Sequence, residues 1–150
     1  MKLNFLIIIF LFLTKVAIAE EFKFNKIIKL DKPWGSTFIN NDQILVTEKG
    51  GKIKLISIGK KDIKIIDHNL NFLEYGQGGL LDIIYKDKIV WISYTENREN
   101  WKTSTSIAKG FFNEEKIKFE NIFQANPPID SGYHFGSRLA IKDNYLFASA

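Results

Sequence analysis

The sequence predicts an all-β fold. Three observations carry that expectation: short runs of β-branched and aromatic residues in which apolar and polar positions alternate, turn-forming clusters between them at the spacing of an antiparallel meander, and no stretch with apolar residues at i, i+3, i+4 and i+7 over three turns. The composition agrees, because 45% hydrophobic and 25% charged residues form a globular mixture rather than a disordered or collagen-like one. A length of 150 residues is that of one domain.

Taken in order, the expected strand runs are residues 22–27, 52–58, 64–66, 89–95, 104–108, 117–119 and 145–148. Residues 22–27 and 52–58 alternate apolar and polar residues, the pattern of a strand with one buried face. Between the runs lie Asn40-Asn41-Asp42, Lys49-Gly50-Gly51, Gly59-Lys60-Lys61, Lys86-Asp87-Lys88 and Lys142-Asp143-Asn144, all turn-forming chemistry. A weak repeat runs through the chain. Asp42-Gln43-Ile44-Leu45-Val46-Thr47, Asp87-Lys88-Ile89-Val90-Trp91-Ile92-Ser93 and Asp143-Asn144-Tyr145-Leu146-Phe147-Ala148-Ser149 each join an Asp-led turn to a hydrophobic strand and a closing hydroxyl residue. The three Asp are 45 and 56 residues apart, near the roughly 40–50 residues of a four-stranded propeller blade, in which this would be the second, buried strand. Such hairpins also occur in a β-sandwich, and the repeat alone leaves both architectures open.

Residues 1–19 have the form of a secretory leader. Lys2 supplies the positive start, residues 5–13 the apolar stretch, and Ala17-Ile18-Ala19 a small-residue cleavage site followed by Glu20-Glu21. The alternative, a membrane anchor, needs about 20 apolar residues to cross roughly 30 Å of hydrocarbon; residues 5–13 are too few, and Lys15 interrupts their extension. The expected organisation is a cleavable leader, 1–19, and a mature domain, 20–150, released to the periplasm or beyond after cleavage near Ala19, with no lasting membrane anchor. Cleavage removes Lys2 and Lys15, so the formal charge of +4 falls by two. Only Arg98 and Arg138 are arginines, and the lysines are interspersed with Asp and Glu, unlike the concentrated basic face of a nucleic-acid reader. The chain has no cysteine, which excludes disulfides, thiolate metal sites and cysteine nucleophiles. With only His68 and His134, a multi-histidine metal site is not expected.

Three segments stand apart from the meander. In Pro33-Trp34-Gly35-Ser36, Pro fixes one dihedral and Gly permits an unusual one, so the Trp is held in a set place, either as a plug between packed elements or beside a ligand. In Tyr75-Gly76-Gln77-Gly78-Gly79-Leu80-Leu81-Asp82, three glycines surround one amide side chain ahead of a strand. Here the backbone can approach a ligand closely and Gln77 offers both donor and acceptor, although a plain hairpin turn has the same composition. It is not a phosphate loop, since G-x-x-x-x-G-K-[ST] is absent. In Asp130-Ser131-Gly132-Tyr133-His134-Phe135-Gly136-Ser137-Arg138-Leu139, a histidine sits between two glycines before an apolar strand. A histidine on a partly exposed loop can act as a general base near neutral pH, and a hydrogen-bonded structural histidine is the alternative. His68, in Asp67-His68-Asn69, reads as an ordinary turn residue.

At these segments the sequence resembles a known family. Pro33-Trp34-Gly35 followed by Ile44-Leu45-Val46-Thr47-Glu48 and Gly51-Lys52-Ile53 resembles the start of the glucose/sorbosone dehydrogenases, the soluble aldose sugar dehydrogenases that use pyrroloquinoline quinone (PQQ). Gly76-Gln77-Gly78-Gly79-Leu80-Leu81-Asp82 resembles the next signature. Ile92-Ser93-Tyr94-Thr95 with Thr105-Ser106-Ile107-Ala108-Lys109-Gly110 is similar to the blade hairpin after it, and Gly132-Tyr133-His134-Phe135-Gly136-Ser137-Arg138-Leu139 to the histidine motif. The four matches run in order over residues 30–150.

The resemblance implies an exported six-bladed β-propeller that oxidises the C1 hydroxyl of aldose sugars to the lactone and passes electrons to an external acceptor. By that resemblance His134 takes the hydroxyl proton while hydride moves from C1 to the C5 carbonyl carbon of PQQ, which makes it a catalytic and a cofactor-contacting residue. A calcium ion would polarise that carbonyl. Gln77 matches the family glutamine that contacts sugar hydroxyls, and Trp34 and Tyr133 are further candidates to border the sugar. The chain departs from some relatives at Tyr133, where they carry an acidic residue. The cationic cluster that holds the PQQ carboxylates and the calcium-binding loop lie further along the family's chain, so no metal ligand is assigned here. A six-bladed ring needs roughly 240–300 residues, and residues 20–150 supply about three blades, an incomplete ring expected to be inactive alone. The other expectations are a non-catalytic exported propeller or sugar-binding module, and a plain β-sandwich with a closed core.

Overall fold

The computed structural model describes residues 22–149. The predicted leader, with its cleavage site, lies outside the described residues. Four strands, β1 (Pro33–Phe38), β2 (Gln43–Glu48), β3 (Lys52–Ser57) and β4 (Asp62–His68), form one antiparallel meander. A second is made by β5 (Leu80–Lys86), β6 (Ile89–Asn97), β7 (Thr103–Phe112) and β8 (Lys116–Gln124). Strands β9 (Leu139–Lys142) and β10 (Tyr145–Ala148) make a further hairpin. The architecture is that of propeller blades: two four-stranded blades and the opening hairpin of a third.

Each of the three Asp-led repeats enters the second strand of its unit, β2, β6 or β10, as the 45- and 56-residue offsets predict. Asp87 and Asp143 take positive φ in their hairpins (52° and 54°), a conformation Asp tolerates better than most residues. Asp42 serves the same corner differently, its carboxylate accepting the Gly59 N–H at 2.7 Å.

The blades are packed face to face. Leu45, Ile53, Leu55 and Ile66 of the first meet Ile83, Val90, Ile92, Tyr94, Ala108, Phe112, Ile117 and Phe119 of the second in one buried core. These residues share a face because side chains alternate along each strand: Leu45 pairs with Leu55, and Thr47 with Ile53 and then Ile66. Each fully buried Leu, Ile or Phe contributes roughly 1.5–3 kcal/mol, so this interface dominates the stability of the pair. Thr47 ties the blades at the inner edge, its hydroxyl donating to the Leu81 carbonyl (2.5 Å) and accepting the Gly35 N–H (2.9 Å). At the outer edge the last strands touch, with Asp67 and His68 of β4 pairing in parallel with Lys116 and Ile117 of β8.

Sequence expectations are corrected at residues 22–27, at Pro33-Trp34-Gly35-Ser36 and at His68. Residues 22–27 form no strand and are largely exposed. Alternation makes a strand only where an edge is free to pair with it, and the neighbouring Ile27, Ile28 and Leu30 instead line an apolar groove with Trp34, Phe38, Ile44, Val46 and Ile56. Pro33-Trp34-Gly35-Ser36 is not a loop but the start of β1, with an irregular register between Pro33 and Ser36. Pro33 is tolerated there because it occupies the first position of a strand. Trp34 remains 47% exposed and faces the groove, away from the core, so it does not plug the interface between the two blades. His68 ends β4 and is structural, its Nε2 bonding the Gly51 carbonyl (2.9 Å) and its Nδ1 accepting the Leu70 N–H (3.3 Å).

Candidate functional site

The parity of a four-stranded meander sends the link between consecutive blades out at the same edge every time. The β4–β5 link, which carries Gln77, and the β8–β9 link, which carries His134, therefore emerge side by side. They are joined directly. The Gln77 N–H donates to the Gly132 carbonyl at 2.7 Å, and the His134 N–H donates to Gln77 Oε1 at 3.2 Å. Residues 57 positions apart thus form one rim. Both side chains are exposed, and the His134 ring lies beside that of Tyr133, with 6.3 Å between centroids and 50° between planes.

The glycines of the first link meet protein rather than open space: Gly76 and Gly79 face backbone, and Gly78 the side chains of Thr95 and Phe135. Gly76 has φ +56°, and a Cβ there would lie 2.3 Å from the Gly132 oxygen. The close approach read from the sequence is real, and its object is the neighbouring loop. The Gly78 N–H closes the turn on the Tyr75 carbonyl at 2.8 Å. The β2–β3 turn supports it from below: Lys49 donates its amine to the Gly76 carbonyl and its own carbonyl accepts the Leu80 N–H (3.2 Å).

The histidine loop is fixed residue by residue to the second blade. Phe135 is buried, and its carbonyl accepts the Thr105 hydroxyl at 2.9 Å. The Ser137 carbonyl accepts the Ser93 hydroxyl at 2.6 Å, and Ser93 Oγ in turn accepts the Asp82 N–H at 3.0 Å. The Asp82 carboxylate, 3% exposed, accepts the Leu139 N–H at 2.8 Å, the Arg138 guanidinium at 3.2 Å and the Ile83 N–H at 3.0 Å. These anchors hold a loop in which His134, Gly136 and Ser137 all have positive φ (65°, 56° and 92°), a region unfavourable for residues with a Cβ.

Sequence reasoning named Gln77 and His134 and did not single out Lys49, Asp82, Ser93 or Thr105. Asp82 carried a signal, being a carboxylate inside the apolar run Leu80-Leu81-Asp82-Ile83-Ile84, where an ion must be paired or hydrogen-bonded. Trp34, on the far face of the first blade, does not share the rim with His134, whereas Tyr133 does. Among the described residues no group of three or more His, Cys, Asp or Glu side chains is placed to hold a metal ion, and no helix is long and apolar enough to cross a membrane.

The sequence profile of the Glucose / Sorbosone dehydrogenase family matches residues 30–150. The chain belongs to that family. As a glucose/sorbosone dehydrogenase family member it is 31% identical over 129 residues to the aldose sugar dehydrogenase YliI of Escherichia coli (strain K12), covering 79% of this chain and 35% of that protein. It is 29% identical over 135 residues to the uncharacterized protein slr1608 of Synechocystis sp. (strain ATCC 27184 / PCC 6803 / Kazusa), covering 80% and 32%. Among solved structures, a glucose dehydrogenase superposes with TM-score 0.74 at 29% identity over 79% of this chain and 38% of that one. The soluble aldose sugar dehydrogenase of Escherichia coli in its apo-form gives 0.69 at 29% identity, covering 75% and 35%. The PQQ-bound aldose sugar dehydrogenase of Streptomyces coelicolor, at 20% identity over 74% and 35%, shares the fold with TM-score 0.64. This chain spans about a third of the length of the curated relatives it matches, 35% and 32%. The β-propeller fold expected for the family is the fold observed.

Proposed function

We propose that this chain forms the first blades of an exported oxidoreductase that oxidises the C1 hydroxyl of an aldose sugar to the lactone, with His134 as general base. The observation that carries the reading is the hydrogen bond from the His134 N–H to Gln77 Oε1, which joins an imidazole and an amide on one exposed rim. Family membership and the activity named for YliI supply the substrate class. His134 accepts the hydroxyl proton at a ring nitrogen, the task of a positioned general base. Gln77 spends its carbonyl oxygen on the His134 backbone, so its NH2 is the part left to meet sugar hydroxyls, and Tyr133 flanks them.

The exposed imidazole and amide fit one wall of a quinone and sugar site, with His134 the residue to contact PQQ. The six to eight oxygen ligands of a calcium ion are assigned to chain beyond these blades. When bound, PQQ supplies the hydride acceptor and calcium the Lewis acid. An external carrier takes the electrons. Turnover is expected from the whole ring, not from residues 20–150 alone, and the leader 1–19 is removed on export.

The test is dye-linked glucose oxidation by the full-length protein with added PQQ and calcium. His134→Ala is expected to lower kcat about 10²–10⁴-fold, the range for a positioned general base, and Gln77→Ala to raise KM and lower kcat together. Undiminished turnover in His134→Ala removes the base. Sugar binding without oxidation in the parent would mark a non-catalytic sugar-binding module. N-terminal sequencing of the exported protein tests the cleavage near Ala19.

A further inference from the structure

We propose that Asp82 is the positioning residue of the histidine loop: its buried carboxylate, on the innermost strand of the second blade, sets the backbone on which His134 stands. The proposal rests on the reading of His134 as base, but its geometry stands on its own. The segment from Gly132 to Leu139 is held at two ends. At the entry, Gln77 takes the His134 N–H and gives its own N–H to Gly132. At the exit, Asp82 takes the Leu139 N–H through Oδ2 and the Arg138 guanidinium through Oδ1.

Between those ends the chain passes through three positive-φ residues, His134, Gly136 and Ser137. Such a conformation persists only where its surroundings over-determine it. Thr105 and Ser93 add neutral hydroxyl bonds to the intervening carbonyls, but Asp82 is the ionised anchor, and hydrogen bonds to an ionised acceptor are about twice as strong as neutral ones. Its backbone N–H, separately from the carboxylate, donates to the Ser93 hydroxyl that holds the Ser137 carbonyl. Ser149 also holds this exit, its carbonyl accepting the Ser137 N–H (2.7 Å), its Oγ accepting the Arg138 N–H (3.1 Å) and its N–H donating to the Arg138 carbonyl (3.0 Å). Loss of the Asp82 carboxylate therefore loosens the exit rather than freeing it, and the slack falls on the positive-φ segment that carries the His134 backbone. The ion pair also explains Arg138: 74% of its side chain is exposed while its partner is buried, so it closes the carboxylate from the rim side without being buried itself.

The experiment uses the full-length protein loaded with PQQ and calcium, with glucose as the probe substrate, and a second readout independent of turnover: the ring C–H resonances of His134 in 13C-histidine-labelled apo-protein. Asp82→Asn keeps shape and one acceptor oxygen but not the charge. It is expected to shift or broaden the His134 resonances while leaving those of His68 in place, and to lower kcat about tenfold or more with little change in KM, in line with the cost of misplacing a catalytic group by about 1 Å. Arg138→Gln, a change at an exposed side chain, is expected to move the same resonances the same way by less. His134 resonances that stay put in Asp82→Asn overturn the proposal, even if turnover falls, because only a general structural role is then left. If Asp82→Asn does not fold, Arg138→Gln decides: an unmoved His134 overturns the proposal. A His134→Ala variant with full turnover would sink the base reading and leave the clamp itself to be judged by the resonances alone.

Discussion

Replacing Gly76 by Ala tests whether the two rim loops are held together by backbone contact. The new methyl carbon would sit 2.3 Å from the Gly132 oxygen and 2.8 Å from its Cα. Both are backbone atoms, so neither can swing aside, and restoring an ordinary 3.4 Å contact parts the loops by about 1 Å. The φ of +56° adds a left-handed penalty of roughly 1 kcal/mol for a residue with a Cβ. Parting the loops stretches the 2.7 Å bond from Gln77 to Gly132, and losing it costs about 1 kcal/mol more. The expected destabilisation is about 2–3 kcal/mol, read as a fall in the urea midpoint at unchanged slope in the full-length protein. Gly50→Ala is the control. Its Cβ meets only the Glu74 carboxylate, at 3.3 Å, and that flexible side chain can move; a change within about 0.5 kcal/mol is expected. Turnover should fall in Gly76→Ala and not in Gly50→Ala, because only the former shifts His134 against Gln77. A Gly76→Ala protein as stable and as active as its parent would refute the reasoning.

Thr47→Val keeps the shape of the side chain and removes the hydroxyl that bonds Leu81 and Gly35; the orphaned buried groups should cost about 1–3 kcal/mol in unfolding experiments, and a loss under about 0.5 kcal/mol would mean that the hydroxyl does not tie the blades. Tyr94 is buried, and its phenol is pushed up to about 12, first by desolvation and with a contribution from the Glu96 charge, against the Asn121 hydrogen bond. Its folded value lies above the unfolded one, so this contribution to stability is full below about pH 10 and is lost as pH rises toward about 12. A Tyr94→Phe protein should therefore lose less stability over that window, and parallel curves for the two proteins would contradict the assignment.

Much of the architecture was legible in local chemistry. The Asp-led turns, the hydrophobic runs of β2 and β6 and the alternation within β3 were visible because a hairpin and a buried strand each impose local residue preferences. The all-β class, the blade repeat and the candidacy of Gln77 and His134 followed from them and from the family motifs. The start of β1 is hidden in the sequence because Pro33 and Gly35 signal a break, while the β2 edge that pairs with them lies in a different stretch of sequence. Residues 22–27 show the opposite case, since alternation records a possible strand but not whether any edge is free.

The sequence by itself determined the fold class, the turn positions, the absence of thiol chemistry and the residue types available for a site. Only the tertiary structure decided that Gly76 exists for Gly132, that Gln77 holds the His134 backbone, and that Asp82 anchors the loop's exit. Those facts depend on bonds spanning 56 and 57 residues. The local sequence marks these segments but not their pairings, which are fixed only when blade packing brings the two links to the same edge.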